Sequence, residues 1–448
     1  MPASPSTARA INDRLALRLL QHEGPLTAGQ LKQLTGLSRP SVADLVERLT
    51  ASGLIEVVGE AGEQRRGPNA KLYGIVADRA RLAALDVRTE GVAVLVSDLV
   101  GRVLAEASVP IGGDTGTGTA VEQAVSLVER AVKDAEATVR AVKDAEATVR
   151  AVKDAEATVR AVKDAEATVQ PADEGLRPWG RLHTLGIGAP GLIDPASGEL
   201  RDSSGLPEWH RRLVAALHER FPHAHAHVEN ETNLAALAEQ REGAARDRDT
   251  FVLLWLGHGT GAAVVLDGAL RRGASGGTGE IGFLPVPGTD GLPSATDCEG
   301  GFHSLAGSAA IAALAGEYGL TADARAAEPV AAALVRAAVK TPDTGAAAGF
   351  LDALADRLAL GAASVVAVLD PGCVVLGGEV GQAGGEVLAS RVARRLRRMA
   401  PLPTEVRAGV LGGGAVLRGA LLTARDAAQE ELFATAHKPE AHQPVPAP

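Results

Sequence analysis

Apolar residues change their spacing several times along this chain, and each change marks an element. Between residues 24 and 50 the spacing is helical. Leu31 and Leu34 form the apolar face of a short segment, and Val42, Leu45, Val46 and Leu49 follow at i, i+3, i+4 and i+7 in the next. Thr27 and Gln30 have capping-box spacing for the first helix, and Gly36 breaks it. Ser38 can cap the second helix, with Pro40 tolerated in a first turn whose N–H groups lack helical partners anyway. Leu54 to Val58 and Lys71 to Val76 then read as paired strands around a Gly-rich loop, residues 59–70, with Arg65 and Arg66 at its tip.

Two helices, a glycine turn and a basic hairpin in that order predict a winged helix-turn-helix. The apolar stripe leaves Arg39, Ser41 and Asp44 facing outward near the N-terminal end of the second helix, beside Ser38. Such positions meet base edges and phosphates in a DNA major groove, and a wing can lay guanidinium groups on phosphates or in a minor groove. Ser38, Arg39, Ser41, Asp44, Arg65 and Arg66 are therefore the candidate DNA contacts. The alternative is a three-helix adaptor whose arginines are only solvated.

Beyond residue 80 the pattern is that of an α/β protein. Leu82 to Val87, Val92 to Asp98 and Arg102 to Val109 predict strands, with a turn at residues 89–91 between the first two. Leu185 to Ala189 and Phe251 to Leu256 are apolar runs ending in glycine, as buried strands do. Helical spacing lies around Glu208 to Glu219, Asn233 to Arg246, Phe350 to Leu369 and Gly385 to Met399, so two glycine-rich α/β lobes are expected. The predicted organisation is a DNA-binding domain over 1–80, a two-lobed domain over 81–430 and a disordered tail over 431–448, rich in Ala, His and Pro.

Residues 131–170 are four copies of one decapeptide, Ala-Val-Lys-Asp-Ala-Glu-Ala-Thr-Val-Arg, the last ending in Gln170. Each copy favours helix and offers an i, i+4 pair such as Glu136 and Arg140. Ten residues advance about 1000° on a helix, so equivalent valines drift roughly 80° per copy and no coiled-coil seam results. The repeat reads as a tandem duplication lengthening an ordinary lobe helix, about 60 Å if continuous, which must project or fold back. A partner-binding arm is the other reading.

Composition narrows the function classes. The 448 residues exceed one ordinary core, and with 46% hydrophobic but 2% aromatic residues the packing falls to Ala, Val, Leu and Gly. No run of about 18 apolar residues suggests a membrane span, and no signal-peptide core opens the chain, so a cytoplasmic protein is expected. Cys298 and Cys373 are too few for a disulfide framework. The net charge of −10 divides into +2 over residues 1–80 and −12 over the rest. An acidic bulk orients the N-terminal domain toward a polyanion.

Four motifs follow one another through the lobes: Leu185-Gly-Ile-Gly-Ala-Pro-Gly-Leu-Ile-Asp194, Glu229-Asn-Glu-Thr-Asn233, Gly279-Glu-Ile-Gly282 and Asp370-Pro-Gly-Cys-Val-Val-Leu-Gly-Gly378. With the winged helix before them they resemble the ROK family of repressors and sugar kinases, over about residues 10 to 425. The resemblance implies an actin/hexokinase-like fold with a sugar site between its lobes. The fused wing is similar to that of the xylose- and N-acetylglucosamine-type repressors.

Against the family pattern, the kinase parts are altered. Family kinases carry an Asp-x-Gly-Gly-Thr-like first phosphate turn; here it is Asp86-Val-Arg-Thr-Glu90, with a carboxylate where phosphate would come. The second turn, Gly257-His-Gly-Thr-Gly261, has His258 in the usual Thr position, and can be a nucleotide loop or only a tight turn. The family's base is an Asp in Asn-Asp-x-Asn, replaced by Glu231. One extra methylene displaces the carboxylate by about an ångström and costs on the order of a hundredfold. Catalysis is therefore not expected, and no catalytic residue is assigned.

The resemblance also bears on metal and effector. Phe283 replaces the His that ends the Gly-Glu-Ile-Gly motif, and of the family's cysteine cluster only Cys298 remains, so no family-type zinc and no cofactor are expected. Asn230, Glu231 and Glu280 persist, His303 stands where a sugar-contacting Glu is usual, and Gly188 and Pro190-Gly191 are expected to shape the cleft wall. These four side chains are the candidate effector contacts, for a sugar-like ligand of altered specificity; a cleft that has lost its ligand is the alternative. His223, His225 and His227 alternate as metal ligands on a strand can, or as an exposed edge strand does. The expected protein is a DNA-binding regulator, acting as a homodimer or homotetramer on an operator in double-stranded DNA and sensing a sugar. A sugar kinase with a DNA-binding appendage and a scaffold organised by the repeat are the competing classes.

Overall fold

Helix capping sets the N-terminal elements where the sequence places them. The structure, a computed structural model, describes residues 5–61, 70–161, 182–194, 196–201, 207–322 and 328–435. Helix α1 (Pro5–Glu23) leads into a short strand β1 (Leu26–Thr27) and helix α2 (Ala28–Thr35). Thr27 Oγ1 accepts from the Gln30 N–H at 3.2 Å while Gln30 Oε1 accepts from the Thr27 N–H at 2.9 Å, a reciprocal capping box. Gly36 closes α2 in the left-handed conformation, φ 69°, and donates to Lys32 O at 3.0 Å. Helix α3 (Arg39–Ala51) buries Val42, Leu45, Val46 and Leu49 as the spacing predicts.

Leu34 does not join that face. It is half exposed, and Leu37, beyond the glycine turn, packs on the core in its stead. Strands β2 (Ile55–Ala61) and β3 (Ala70–Ile75) form the hairpin, and β1 adds to its other side in the order β1-β3-β2. The tip carrying Arg65 and Arg66 lies outside the described residues.

Two sheets of matching design follow. The first contains β4 (Arg81–Arg88), β5 (Gly91–Asp98), β6 (Val103–Pro110), β7 (Leu182–Ala189) and β8 (His225–Asn230), ordered β6-β5-β4-β7-β8. Its first three strands are antiparallel, and β7 and β8 run parallel to β4. Helices α4 (Thr117–Ala161), α5 (Trp209–Arg220) and α6 (Glu231–Glu242) belong to this lobe. The second sheet repeats the pattern with β9 (Phe251–Leu256), β10 (Thr260–Leu266), β11 (Ala269–Leu270), β12 (Cys373–Gly377) and β13 (Glu405–Ala408), ordered β11-β10-β9-β12-β13. Around it lie α7 (His303–Ala306), α8 (Ser308–Glu317), α9 (Val330–Val339), α10 (Gly345–Leu369) and α11 (Gly378–Met399). This is the two-lobed actin/hexokinase-like α/β fold, preceded by a winged helix.

Several expected boundaries move, each for a local reason. Helix α11 begins at Gly378, and Gly385, expected to start it, is instead its kink, with φ 50° and ψ −150°. Helix α6 begins at Glu231 and stops at Glu242, because the buried Glu239 carboxylate turns the chain by accepting the Ala244 N–H at 2.7 Å. The same carboxylate accepts from Val410 and Leu411, both at 3.0 Å, and so joins the two lobes. Residues 431–435, expected in the tail, are the last turn of helix α12 (Ala415–Thr435), and 436–448 lie outside the described residues.

The repeat continues an ordinary helix. Helix α4 buries Ala120, Ala124, Val125, Leu127, Val128, Ala131 and Ala135; residues 141–145 are exposed, and among them Lys143 Nζ donates to Asp78 at 2.6 Å. Glu136, expected to pair with Arg140, bonds Arg81 at the start of β4 at 2.9 Å instead. Copies beyond Ala161 lie outside the described residues.

Helix α12 returns the chain to the first lobe, lying across β4 and β7 and beside α6. Glycine makes this seat possible. A Cβ on Gly186 would lie 2.1 Å from Ala420 O, and one on Gly419 2.0 Å from Leu234 O. Gly188 faces Val416 and Leu234, so its role is to seat α12 and not to shape the cleft as its motif suggested. Gly186→Ala should therefore lower stability by about 2–3 kcal/mol. Gly113→Ala, which meets nothing within 4 Å, should change it by less than about 0.5 kcal/mol. Urea unfolding of the two variants checks this, and equal midpoints would rule out the close seat.

Candidate functional site

Two surfaces collect the residues singled out by sequence. On α3, Ser38 is the N-cap, its Oγ accepting from the Ser41 N–H at 3.3 Å and lying 2.8 Å from Ser41 Oγ. Ser38, Arg39, Ser41 and Asp44 are all exposed on the side of α3 opposite its buried stripe. Asp44 is already engaged by Arg48, whose other Nη donates to the buried Asp13 of α1 at 2.7 Å. That fork fixes α3 against α1. Arg39 is left as the basic side chain at the exposed N-terminal end of the helix.

The second surface is a cleft of about 730 Å³, lined by Asn230, Glu231, Glu280, Phe283, Trp255 and Thr260 among others. Three of the four expected effector residues meet there. Asn230 is the N-cap of α6: its Oδ1 accepts from Thr232 and Asn233 N–H at 2.9 and 3.3 Å. Its Nδ2 donates to Gly191 O at 3.0 Å and to Glu231 Oε2 at 3.1 Å. Asn230 therefore aims the Glu231 carboxylate as much as it lines the cleft. Glu280 follows Gly279, whose φ of 92° and position 1.9 Å from Ala262 O (for an added Cβ) admit no side chain.

His303 is not among the residues that line the cleft. It is half-buried behind Thr260, its Nδ1 3.5 Å from Thr260 Oγ1, and burial lowers its pKa. Helix α7, a single turn, carries it one layer back from where the motif comparison put it. Sequence reasoning missed Glu229 and Arg272. Buried Glu229 accepts from Asn233 Nδ2 at 2.9 Å, from Asn230 N–H at 3.0 Å and from Arg272 Nε at 2.6 Å, and so ties the Asn230–Glu231 turn to the loop before Glu280. Glu229 stood inside a recognised motif; nothing local marked Arg272.

Burial pushes the Glu231 carboxyl up to about 8; its own backbone N–H works against this, the Asp86 and Glu280 carboxylates add to it, and Arg88 opposes. A carboxyl held protonated near neutrality can donate a hydrogen bond to a ligand hydroxyl, which a carboxylate cannot.

On the side where a nucleotide's phosphates would enter, the cleft is spanned by protein. Arg88, in the altered first phosphate turn, donates from Nε to Asp86 at 2.8 Å, from Nη1 to Glu379 at 2.8 Å and from Nη2 to Gly413 O at 2.8 Å. Glu379 opens α11, so this one guanidinium bridges the lobes. Burial disfavours its charge, but Asp86 and Glu379 outweigh that and raise its pKa. Burial also raises the pKa of Asp86, with Arg88 opposing. His258 of the second turn lies 3.6 Å from Glu90 of the first. Asp86, Glu90 and Glu379 thus bring three carboxylates to the two turns that the family resemblance assigns to phosphate.

The histidine run divides. His225 and His227 lie exposed on β8, an edge strand of its sheet, and His223 precedes the strand. His225 Nε2 lies 3.5 Å from Glu431. This is the edge-strand arrangement.

Comparison with known proteins agrees with this geometry. The ROK family model matches residues 128–427, and the MarR family model matches residues 11–67. Over 280 residues the chain is 25% identical to the DNA-binding transcriptional dual regulator NagC of Escherichia coli (strain K12), covering 62% of this chain and 58% of that one. The chain thus spans less than two thirds of that relative's length. It is 38% identical over 175 residues to the bifunctional enzyme NanE/NanK of Brucella suis biovar 1, covering 39% of this chain and 29% of that one. A crystal structure of a ROK family transcriptional regulator, described as a homologue of the E. coli MLC protein, shares the fold at a TM-score of 0.68 with 18% identity, over 96% of this chain and 99% of that one.

The raised Glu231 pKa has a sign that can be checked. Between the ordinary value of 4.5 and about 8, the folded protein holds a proton that the unfolded chain has released. Stability from this group is therefore present at low pH and is lost as pH rises through that window. Glu231→Gln should match the parent near about pH 4 and exceed it by about 3–5 kcal/mol near about pH 9, by urea unfolding. Superimposable pH profiles would return the carboxyl to its ordinary value.

Proposed function

This chain belongs to the ROK family, and from that premise we propose that it is a DNA-binding transcriptional regulator, acting as a repressor whose operator affinity a sugar-like effector controls. The observation that carries the reading is the pairing, in one chain, of an exposed recognition helix with a cleft whose phosphate side is spanned by Arg88 and Glu379. Arg39, Ser38 and Ser41 offer donors and acceptors to base edges and phosphates, Asp44 joins them when it leaves Arg48, and Arg65 and Arg66 supply the wing contacts.

In the cleft, Glu231 and Glu280 bind the hydroxyls of a polyol, with Asn230 fixing Glu231 and His303 acting through Thr260. The apolar faces of Trp255 and Phe283 supply packing for a sugar ring. Ligand-driven movement of the lobes reaches the winged helix through α12, which packs against α1. In a two-fold homodimer or homotetramer, such a movement changes the spacing of paired recognition helices and so the affinity for an inverted-repeat operator. Among the described residues no helix is long and apolar enough to cross a membrane, and the reading places the protein in the cytoplasm with its DNA.

The competing reading is a sugar kinase, favoured by the 38% identity to an enzyme over 39% of the chain. Against it stand Arg88 where phosphates would approach, three carboxylates around that space, and Glu231 where the family uses Asp. No catalytic role and no cofactor are assigned.

Binding of the purified protein to labelled DNA from upstream of its own gene, at physiological salt with nonspecific competitor, is the direct test. Specific binding should be weakened by about 1–3 kcal/mol in Arg39→Ala and relieved by one member of a sugar panel. Sugar-dependent ADP formation from ATP by the same preparation would overturn the non-enzymatic part of the reading.

A further inference from the structure

Where α1 meets the lobes, three helices enclose a second cavity, of about 420 Å³. Arg14 and Arg18 enter it from α1, Arg241 from α6, and Arg425, Asp426 and Glu430 from α12. Four guanidinium groups against two carboxylates leave a local excess of two positive charges, before any charge on His22. That excess lies against a two-lobed region whose own balance is strongly negative. Arg241 and Glu231 are ten residues apart on α6, about 15 Å along its axis, so this cavity is separate from the sugar cleft.

The charges inside it are not internally satisfied. Arg241 takes Asp426 at 2.7 Å. Arg425 Nε is then 3.9 Å from the same carboxylate, beyond hydrogen-bond reach, and it is buried without a hydrogen-bond partner among the described residues. A buried N–H left unpaired is destabilising, more so on a charged group. Burial lowers the pKa of Arg425, and Arg241 and Arg418 add to this against the pull of Asp426 and Glu242. Arg14 and Arg18 stand one turn apart on α1, where like charges repel. Ion pairs join α6 to α12, whereas α1 is joined to α12 by a neutral contact: Gln429 Nε2 donates to Gln21 Oε1 at 2.7 Å, and also to Leu99 O at 3.1 Å.

We infer that this cavity is a binding site for a dianionic oxyanion, a phosphate group either free or carried on a small metabolite. A phosphate monoester carries about −1.5 to −2 charges near neutral pH, which matches the excess on the walls. Its oxygens accept the paired N–H groups of guanidinium forks, which Arg14 and Arg18, exposed on α1, can present. The volume falls within the range of about 300–1,000 Å³ usual for small-molecule sites, leaving room for a body of a few carbons beyond the phosphate. Bound there, the ligand ties α1 of the winged helix to α6 and α12 of the lobes. The inference stands whether or not the protein reads an operator, because it rests on the cavity alone.

The test is calorimetric titration of the full-length protein in a phosphate-free buffer near neutral pH at constant ionic strength, with thermal unfolding midpoints measured in parallel. The probes are inorganic phosphate and glycerol 3-phosphate, with succinate as the comparator. Arg18→Gln and the double variant Arg14→Gln/Arg18→Gln change exposed side chains, so the fold is kept. Arg212→Gln, on α5 and outside the cavity, controls for general charge loss. The expected result is saturable binding at one site per chain, weakened about tenfold by Arg18→Gln, further by the double variant, and unchanged by Arg212→Gln. Tighter binding of glycerol 3-phosphate than of inorganic phosphate assigns a phosphorylated metabolite, and equal binding assigns the free ion. Absence of both saturable heat and a midpoint shift, equal losses in Arg212→Gln and Arg18→Gln, or succinate binding as tightly as phosphate would each overturn the inference.

Discussion

The seat of α12 is the constraint on which the rest of the structure depends. This helix is the last described element but packs on the sheet of the first lobe, beside α6 and against α1, so three parts of the molecule are held through one rod. The close approach rests on Gly186 and Gly188 of β7 and on Gly419 of α12 itself, each of which would place a Cβ within 3 Å of the neighbouring element. Interiors packed to crystal-like density do not absorb such an overlap without moving. The Leu185-Gly-Ile-Gly188 run therefore serves packing on one face of β7, while Gly191, just beyond it, opens onto the cleft.

The second organising feature is electrostatic. Arg88 joins the turn after β4 to the first turn of α11 and to the carbonyl of Gly413. Asp86 and Glu379 are largely removed from water, so their charges are tolerable only with the guanidinium between them. Glycines in that turn would leave an open, phosphate-receptive space; a long cation and its two carboxylates fill it instead. The cleft beside Glu231 is thus left open, while the turn at Arg88 is filled by the protein's own side chains.

What the sequence made legible was local. The capping box at Thr27, the left-handed Gly36 and the buried stripe of α3 are set by residues within a turn of one another, and they stand where the pattern predicted. The strands of the first lobe were legible for the same reason, through alternation and glycine punctuation. Helices α8 and α9 carried too little contrast, being almost wholly alanine and aliphatic, and α12 was hidden by the glycines at its start and in its interior. The site was legible as a set of motifs but not as a geometry. Arg88 and Glu379 are separated by 291 residues, and Glu229 and Arg272 by 43, so their pairing could not be read from spacing. His303 was displaced by one layer because a four-residue helix follows Phe302, whose fully buried ring fixes the start of that turn.

Helix α4 has a consequence of a different kind. Its packed half ends near Ala135, before the first copy of the decapeptide is complete, and residues 141–145 are already in solvent. On a helix a ten-residue copy is worth about 15 Å of rod and turns its far end by roughly 80°. The gain or loss of a whole copy beyond residue 140 would leave the buried residues of α4, Ala120 to Ala135, where they are.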